Sequence, residues 1–246
     1  MYKLSLSLFL IAFLLIVGAC SKSQEELRIL TENYPPLSFM DGDEASGFGS
    51  DVVNAIQAEL GTDFPIQLSS WDEAYATALS EENVVLFTMD KTPEREDYFH
   101  FIGPLGSNVA SFYAHRNRML VPIDAEVAKT YKAIATTTNW FTEQHLMELG
   151  FENLVSSKDP IDTVKLLADQ KADLGVFTDV TLPELCREAK VDPDTFTPVL
   201  ELLSTDYYIA ISKITNTKIV EKWQKAFDTI KANGELARLH SKWFDR

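Results

Sequence analysis

From Leu27 onward, short β-rich runs alternate with segments of helical periodicity, and this order leaves few folds open. Strands are expected at 27–31, 64–68, 84–87, 133–136 and 174–177. Between them, 50–60 places Val52, Val53, Ile56 and Leu60 on one helical face. Further helices are expected at 71–79, 140–149 and 182–189. One more opens on Asp159-Pro160, a cap residue followed by proline, and buries Ile161, Val164 and Ala168. Val220, Trp223, Phe227 and Ile230 define a helix over 219–231, and Leu236, Leu239 and Trp243 a final one; helical core packing accounts for both stripes. The βαβα order predicts α/β lobes with mainly parallel sheets flanked by helices. The β-rich stretches 109–114 and 207–211 sit between α/β blocks. They predict a chain that crosses to a second lobe and returns, with a two-strand hinge and the C-terminal helices packed back on the first lobe. The expected division is 27–108 for the first lobe, 109–114 for a hinge, 115–203 for the second lobe, 204–211 for the return and 212–246 for the C-terminal helices. A cleft between lobes faces the carboxyl ends of the strands, where open α/β sheets bind ligands.

The first residues read differently. Lys3 is followed by an apolar run from Leu8 to Ala19, shorter than the about 20 residues a membrane span needs, so it reads as a secretory leader over 1–19. Its end, Ile16-Val17-Gly18-Ala19-Cys20, resembles a bacterial lipobox. That resemblance implies a diacylglyceryl-modified Cys20 with 20–26 as a polar tether; the bland alternative is a plain leader with an incidental cysteine. Ser21 leans toward the outer membrane in a Gram-negative cell. With Cys20 lipidated, Cys186 has no intrachain partner and reads as a small buried residue.

The net charge of −15, one unit more acidic without Lys3, argues against nucleic acid or anionic lipid surfaces as partners. His100, His115, His145 and His240 lack metal-motif spacing. No Walker loop occurs, and Gly47-Phe48-Gly49-Ser50 lacks the third glycine of a dinucleotide fingerprint. No metal and no cofactor are expected.

Several segments, in order, resemble the family 3 periplasmic solute-binding proteins, the polar amino-acid receptors of ABC importers. They are Leu27-Arg28-Ile29-Leu30-Thr31 with Tyr34-Pro35-Pro36, Gly47-Phe48-Gly49-Ser50-Asp51-Val52-Val53, Thr92-Pro93-Glu94-Arg95, Phe101-Ile102-Gly103-Pro104, 167–174 and Lys231-Ala232-Asn233-Gly234-Glu235. The resemblance spans about residues 26–244. It implies a type II periplasmic-binding fold of two lobes closing on a small solute, a monomer held to the membrane only by its lipid, and separate permease and ATPase partners.

It also implies roles for particular residues. Arg95 of the Thr-x-x-Arg element would clamp a ligand carboxylate, since a guanidinium offers two parallel charge-assisted bonds. The alternative has Thr92 capping a short helix and Arg95 pairing with Glu94 or Glu96 on a solvated face. Thr88 and Asp90 are expected on the loop after 84–87. Thr88 fits the family's hydroxyl positions. Asp90 departs from them, and either meets a positive group of the ligand or pairs with Lys91. Asp179 matches the family's ammonium-binding acid, with capping of helix 182–189 as the other reading. Thr138 and Asn139 precede a helix and either receive the ligand carboxylate or cap the helix. Tyr34 and Trp71 are candidate aromatic walls or ordinary packing. Gly47 and Gly49 read as backbone positions.

The function expected is extracytoplasmic capture of an amino-acid-like zwitterion and delivery to an importer, without catalysis. Two other readings stay open: a cleft dehydratase acting on a prephenate-like substrate, for which Asp90 is the one unusual carboxylate, and a ligand-sensing module for a membrane receptor.

Overall fold

The computed structural model describes residues 26–118 and 124–245, so the readings of a leader and of Cys20 fall outside the described residues. Strand β1 (Arg28–Thr31) leads through a short hairpin, β2 (Phe39–Asp41) and β3 (Glu44–Ser46), into helix α1 (Phe48–Leu60). Gly47 must be glycine: it sits at φ 113°, and a Cβ there would lie 2.5 Å from the Leu37 carbonyl oxygen. The helix buries Val52, Val53 and Ile56 and ends at Gly61 in the left-handed conformation. Next come β4 (Ile66–Leu68), α2 (Trp71–Ser80), capped by Ser70, and β5 (Val84–Asp90), buried throughout. Strands β4, β1 and β5 pair in parallel.

A short helix α3 (Pro93–Glu96) precedes β6 (Phe99–His115), 17 residues long. The second block follows: α4 (Ala125–Ala128), β7 (Ile134–Thr137), α5 (Phe141–Glu148), β8 (Leu154–Ser157), α6 (Pro160–Ala168), β9 (Leu174–Thr178) and α7 (Leu182–Ala189). Strands β8, β7 and β9 are again parallel. Asp159 caps α6, accepting from the Ile161 amide, as its Asp-Pro start predicts. Cys186 is buried on α7. The chain returns along β10 (Phe196–Ser212) and closes with α8 (Thr217–Ala232) and α9 (Glu235–Phe244).

The α/β expectation with mainly parallel strands holds, with one change of arrangement. The two parallel blocks are not separate sheets. Antiparallel β6 and β10 join them into one eight-stranded sheet of order β4-β1-β5-β10-β6-β9-β7-β8. Strand β10 pairs with β5 over 207–211, and β6 pairs with β9 over 110–114. They make up most of the hinge segments expected from sequence, 109–114 and 204–211. Each of these two paired stretches belongs to the ladder of one half. Between them, Ser107, Asn108 and Val109 face Asp206, Thr205 and Ser204 and have no other ladder partner among the described strands. The crossing lies there.

The C-terminal helices return to the first half. Trp223, Phe227, Ile230 and Leu239 share a core with Val52, Ile56 and Phe48. Asp51 on α1 accepts from Lys242 at 2.6 Å and from Trp243 Nε1 at 2.7 Å. A smaller core in the second half gathers Phe112, Ile134, Leu146, Phe151, Leu174 and Val176.

Candidate ligand site

At the carboxyl ends of β1 and β5, the first half faces the start of α5 in the second. Glu32, Tyr34, Trp71, Thr88, Asp90, Arg95, Trp140 and Phe141 line the cavity between them. The space left by these side chains is about 10 Å³, room for about one water.

Arg95 is 1% exposed, and the solvated-face alternative does not describe it. Thr92 makes no side-chain cap, Pro93 starts α3, and Glu96 pairs with Lys91 at 3.2 Å. The guanidinium lies 4.9 Å from the Trp71 ring centre and 5.4 Å from that of Tyr75. Its NH1 donates to the Asp90 carbonyl at 3.3 Å, and its NH2 donates to Gln144 Oε1 at 3.0 Å and to the Asn139 carbonyl at 3.5 Å. Its Nε has no hydrogen-bond partner among the described residues. No carboxylate there lies within ion-pairing distance of this buried cation.

Thr88 and Asp90 are not on a loop, as the sequence suggests; β5 runs on through both, because β10 supplies Asp90 with a ladder partner in Tyr207. Thr88 holds φ 61°, and its hydroxyl donates to the Phe87 carbonyl at 2.7 Å. Asp90 turns to Asn108 Nδ2 at 2.8 Å and the Thr205 hydroxyl at 3.0 Å, not to Lys91. Burial pushes its carboxyl up to about 6, against these bonds and the Arg95 charge.

Glu32 went unremarked in the sequence. It is 8% exposed and accepts from Trp140 Nε1 at 3.0 Å across the cleft. Burial pushes its carboxyl up to about 8, so it carries its proton at neutral pH. Nothing in Thr31-Glu32-Asn33 sets it apart from an ordinary loop acid.

Tyr34 and Trp71 both line the cavity. Tyr34 meets the Trp140 ring edge-on at 4.9 Å, and its hydroxyl is 3.2 Å from that of Thr178. Trp71 Nε1 donates to the Asn139 carbonyl at 3.0 Å. Asn139, at φ 58°, is exposed at the rim, and its amide donates to Asp72 at 2.7 Å. Its backbone N–H is taken by Glu143, a buried carboxylate that also accepts from Thr136 and Ser156. Asn139 thus binds both halves together beside the cavity. Thr138 is half-buried; its N–H donates to the Ser157 carbonyl, and it does not line the cavity. Asp179 is exposed and outside the lining. It accepts from the Val109 amide at 2.9 Å and does not cap α7, whose first flanking residue is Thr181. Gly49 packs under Thr88, where a Cβ would lie 2.5 Å from the Thr88 methyl.

Residues 27–246 match the family model of bacterial extracellular solute-binding proteins, family 3. The chain belongs to that family. This solute-binding protein is 23% identical over 237 residues to the arginine-binding extracellular protein ArtP of Bacillus subtilis (strain 168), covering 92% of this chain and 89% of the relative. Its fold is similar to that of a histidine kinase sensor domain related to periplasmic binding proteins, at a TM-score of 0.80 and 20% identity, over 89% of this chain and 96% of the other. An ancestral arginine-binding protein bound to arginine aligns at a TM-score of 0.77 and 22% identity, over 89% and 97% of the two chains. No helix among the described residues of this solute-binding protein is long and apolar enough to cross a membrane.

Proposed function

We propose that this protein captures a small zwitterionic solute, an amino acid or a close relative, between two lobes, and delivers it to an ABC importer whose permease and ATPase are separate chains. The two halves of the sheet act as the lobes, and the crossing at 107–109 and 204–206 is the hinge. The observation that carries the reading is Arg95. A buried cation with no carboxylate in direct contact is costly, and one unpaired N–H adds to the cost. A ligand carboxylate removes both penalties at once. Asp90 and Glu32 supply negative or acceptor groups for an ammonium, while Trp71, Tyr34 and Trp140 cover the ligand's carbon skeleton. With so little space between the closed walls, entry requires the lobes to part, and closure then follows from contacts made only in the closed state. The similarity to the arginine-binding ArtP makes arginine the first solute to try. Thr138 and Asp179 act at second hand in this reading, on the turns that follow β7 and β9. Cys20 carries the lipid that holds the protein outside the cytoplasm, at a membrane surface.

Thermal shift with the twenty amino acids tests this. A bound solute at 100 times its Kd raises stability by about 2.7 kcal/mol. A shift with one amino-acid class is expected, abolished in Arg95→Ala and reduced in Arg95→Lys, which keeps charge but not the planar fork. No shift with any amino acid would sink the reading.

A further inference from the structure

We propose that Asp90 couples the cavity to the hinge: the carboxylate that lines the site is also the side chain that ties both crossing strands to the first half. The ligand arm of the test rests on the reading above; the rest does not.

Asp90 ends β5 and lines the cavity. One oxygen, Oδ1, accepts from Asn108 on β6 and from Thr205 on β10. These two residues face one another in the ladder, inside the short stretch that has no other strand partner. One atom therefore gathers β5, β6 and β10 at the point where the sheet passes between halves. The neighbouring Lys91 amide donates to the Asp206 carbonyl at 3.1 Å, so β5 holds the crossing by backbone as well. On the far side, Asp179 takes the Val109 amide. Asn108 Oδ1 is buried without a partner among the described residues, so Asp90 alone orients that amide. A positive group entering the cavity draws the Asp90 carboxylate toward it. The pull passes directly to residues 108 and 205.

The groups facing Asp90 are Arg95 from α3, Glu32 and Tyr34 from the loop after β1, and Tyr207 from β10. Arg95 favours the charged carboxylate and Glu32 disfavours it when ionised. Acidification from pH 7.5 to 5 passes through the value of about 6 to which burial raises Asp90, and removes its charge.

Hydrogen exchange read by mass spectrometry on the full chain tests the coupling, with L-arginine as the probe and variants Thr205→Val, Asn108→Ala and Asp90→Asn. Without solute, Thr205→Val and Asn108→Ala are expected to speed exchange at 107–109 and 204–206 by about tenfold, the loss of one bond to a charged group, while α1 and α8 keep wild-type protection. At pH 5 the wild type is expected to approach Asp90→Asn at the same pH, and at pH 7.5 to be slower than it. With L-arginine, the wild type should gain protection at both the cavity and the crossing, and Thr205→Val at the cavity alone. Crossing exchange equal to wild type in Thr205→Val and Asn108→Ala overturns the proposal and leaves Asp90 a ligand contact only. If L-arginine protects nothing in the wild type, the choice of solute fails, and the solute-free arms still decide the coupling. Should Asp90→Asn not fold, the half-buried Thr205 carries the test.

Discussion

Glu32 and Asp90 store a pH dependence at the scale of single residues. Glu32 is raised from 4.5 to about 8, so the folded protein keeps a proton that the unfolded chain has already released. The unfolded state then binds fewer protons, and stability falls as pH rises from about 4.5 to about 8, and no further above it. Asp90 adds a fall of the same sign between 3.8 and about 6. Glu32→Gln keeps an acceptor for Trp140 and removes the titration. Urea midpoints at pH 5 and pH 8 should differ less in the variant than in the wild type; equal differences would mean that Glu32 ionises in the fold as it does in the open chain. Arg95 was legible as a candidate because Thr-x-x-Arg carries it. Its burial was not, because whether a four-residue helix faces water depends on Trp71 and Tyr75, which lie about twenty residues earlier.

At the scale of elements, the start of α5 depends on one buried carboxylate. Glu143 accepts from the Asn139 amide, Thr136 and Ser156, and so fixes the rim where Asn139 meets Trp71, Asp72 and Arg95. Glu143→Ala removes the acceptor of the Asn139 amide and of the buried Thr136 hydroxyl, and should cost about 1–3 kcal/mol in chemical denaturation and weaken solute binding with it. A loss below 0.5 kcal/mol would mean that water replaces the carboxylate. Helix bounds were read well from sequence: α1 and α8 begin and end within two residues of expectation and α6 starts at its Asp-Pro cap, because capping residues and 3.6-residue periodicity are local; on α6, Val164 is buried as expected while Ile161 and Ala168 are half-buried. The long strands were not. Gly103, Pro104, Gly106 and Asn108 break the β pattern of β6, and only pairing with a strand about a hundred residues away carries it through. Asp90 was assigned to a loop for the same reason. The β2–β3 hairpin and β8 were missed because each is short and half-exposed.

For the whole molecule, the consequence lies in which residues complete which half. The first half takes its core from both ends of the sequence, with α8 and α9 closing the face of α1. Ending the chain after Ser212 removes Trp223, Phe227, Ile230 and Leu239. At about 1.5–3 kcal/mol for each buried side chain, the loss matches the entire stability of an ordinary domain. The truncated chain should show no cooperative thermal transition and rapid digestion by trypsin. A sharp transition would show that β1–β5 and the crossing strands suffice.

The same arrangement sets a schedule. A chain leaving the ribosome from its amino end has the parallel strands of its first half, with α1 and α2, within the first 90 residues, yet α8 and α9, which complete their core, follow only from residue 217. Until then Val52, Val53 and Ile56 have the sheet against them but lack Trp223, Phe227 and Leu239. The core of the first half therefore stays incomplete for nearly the whole of synthesis. That core closes only once α8 and α9 have been added, long after the second half has all of its own strands and core residues.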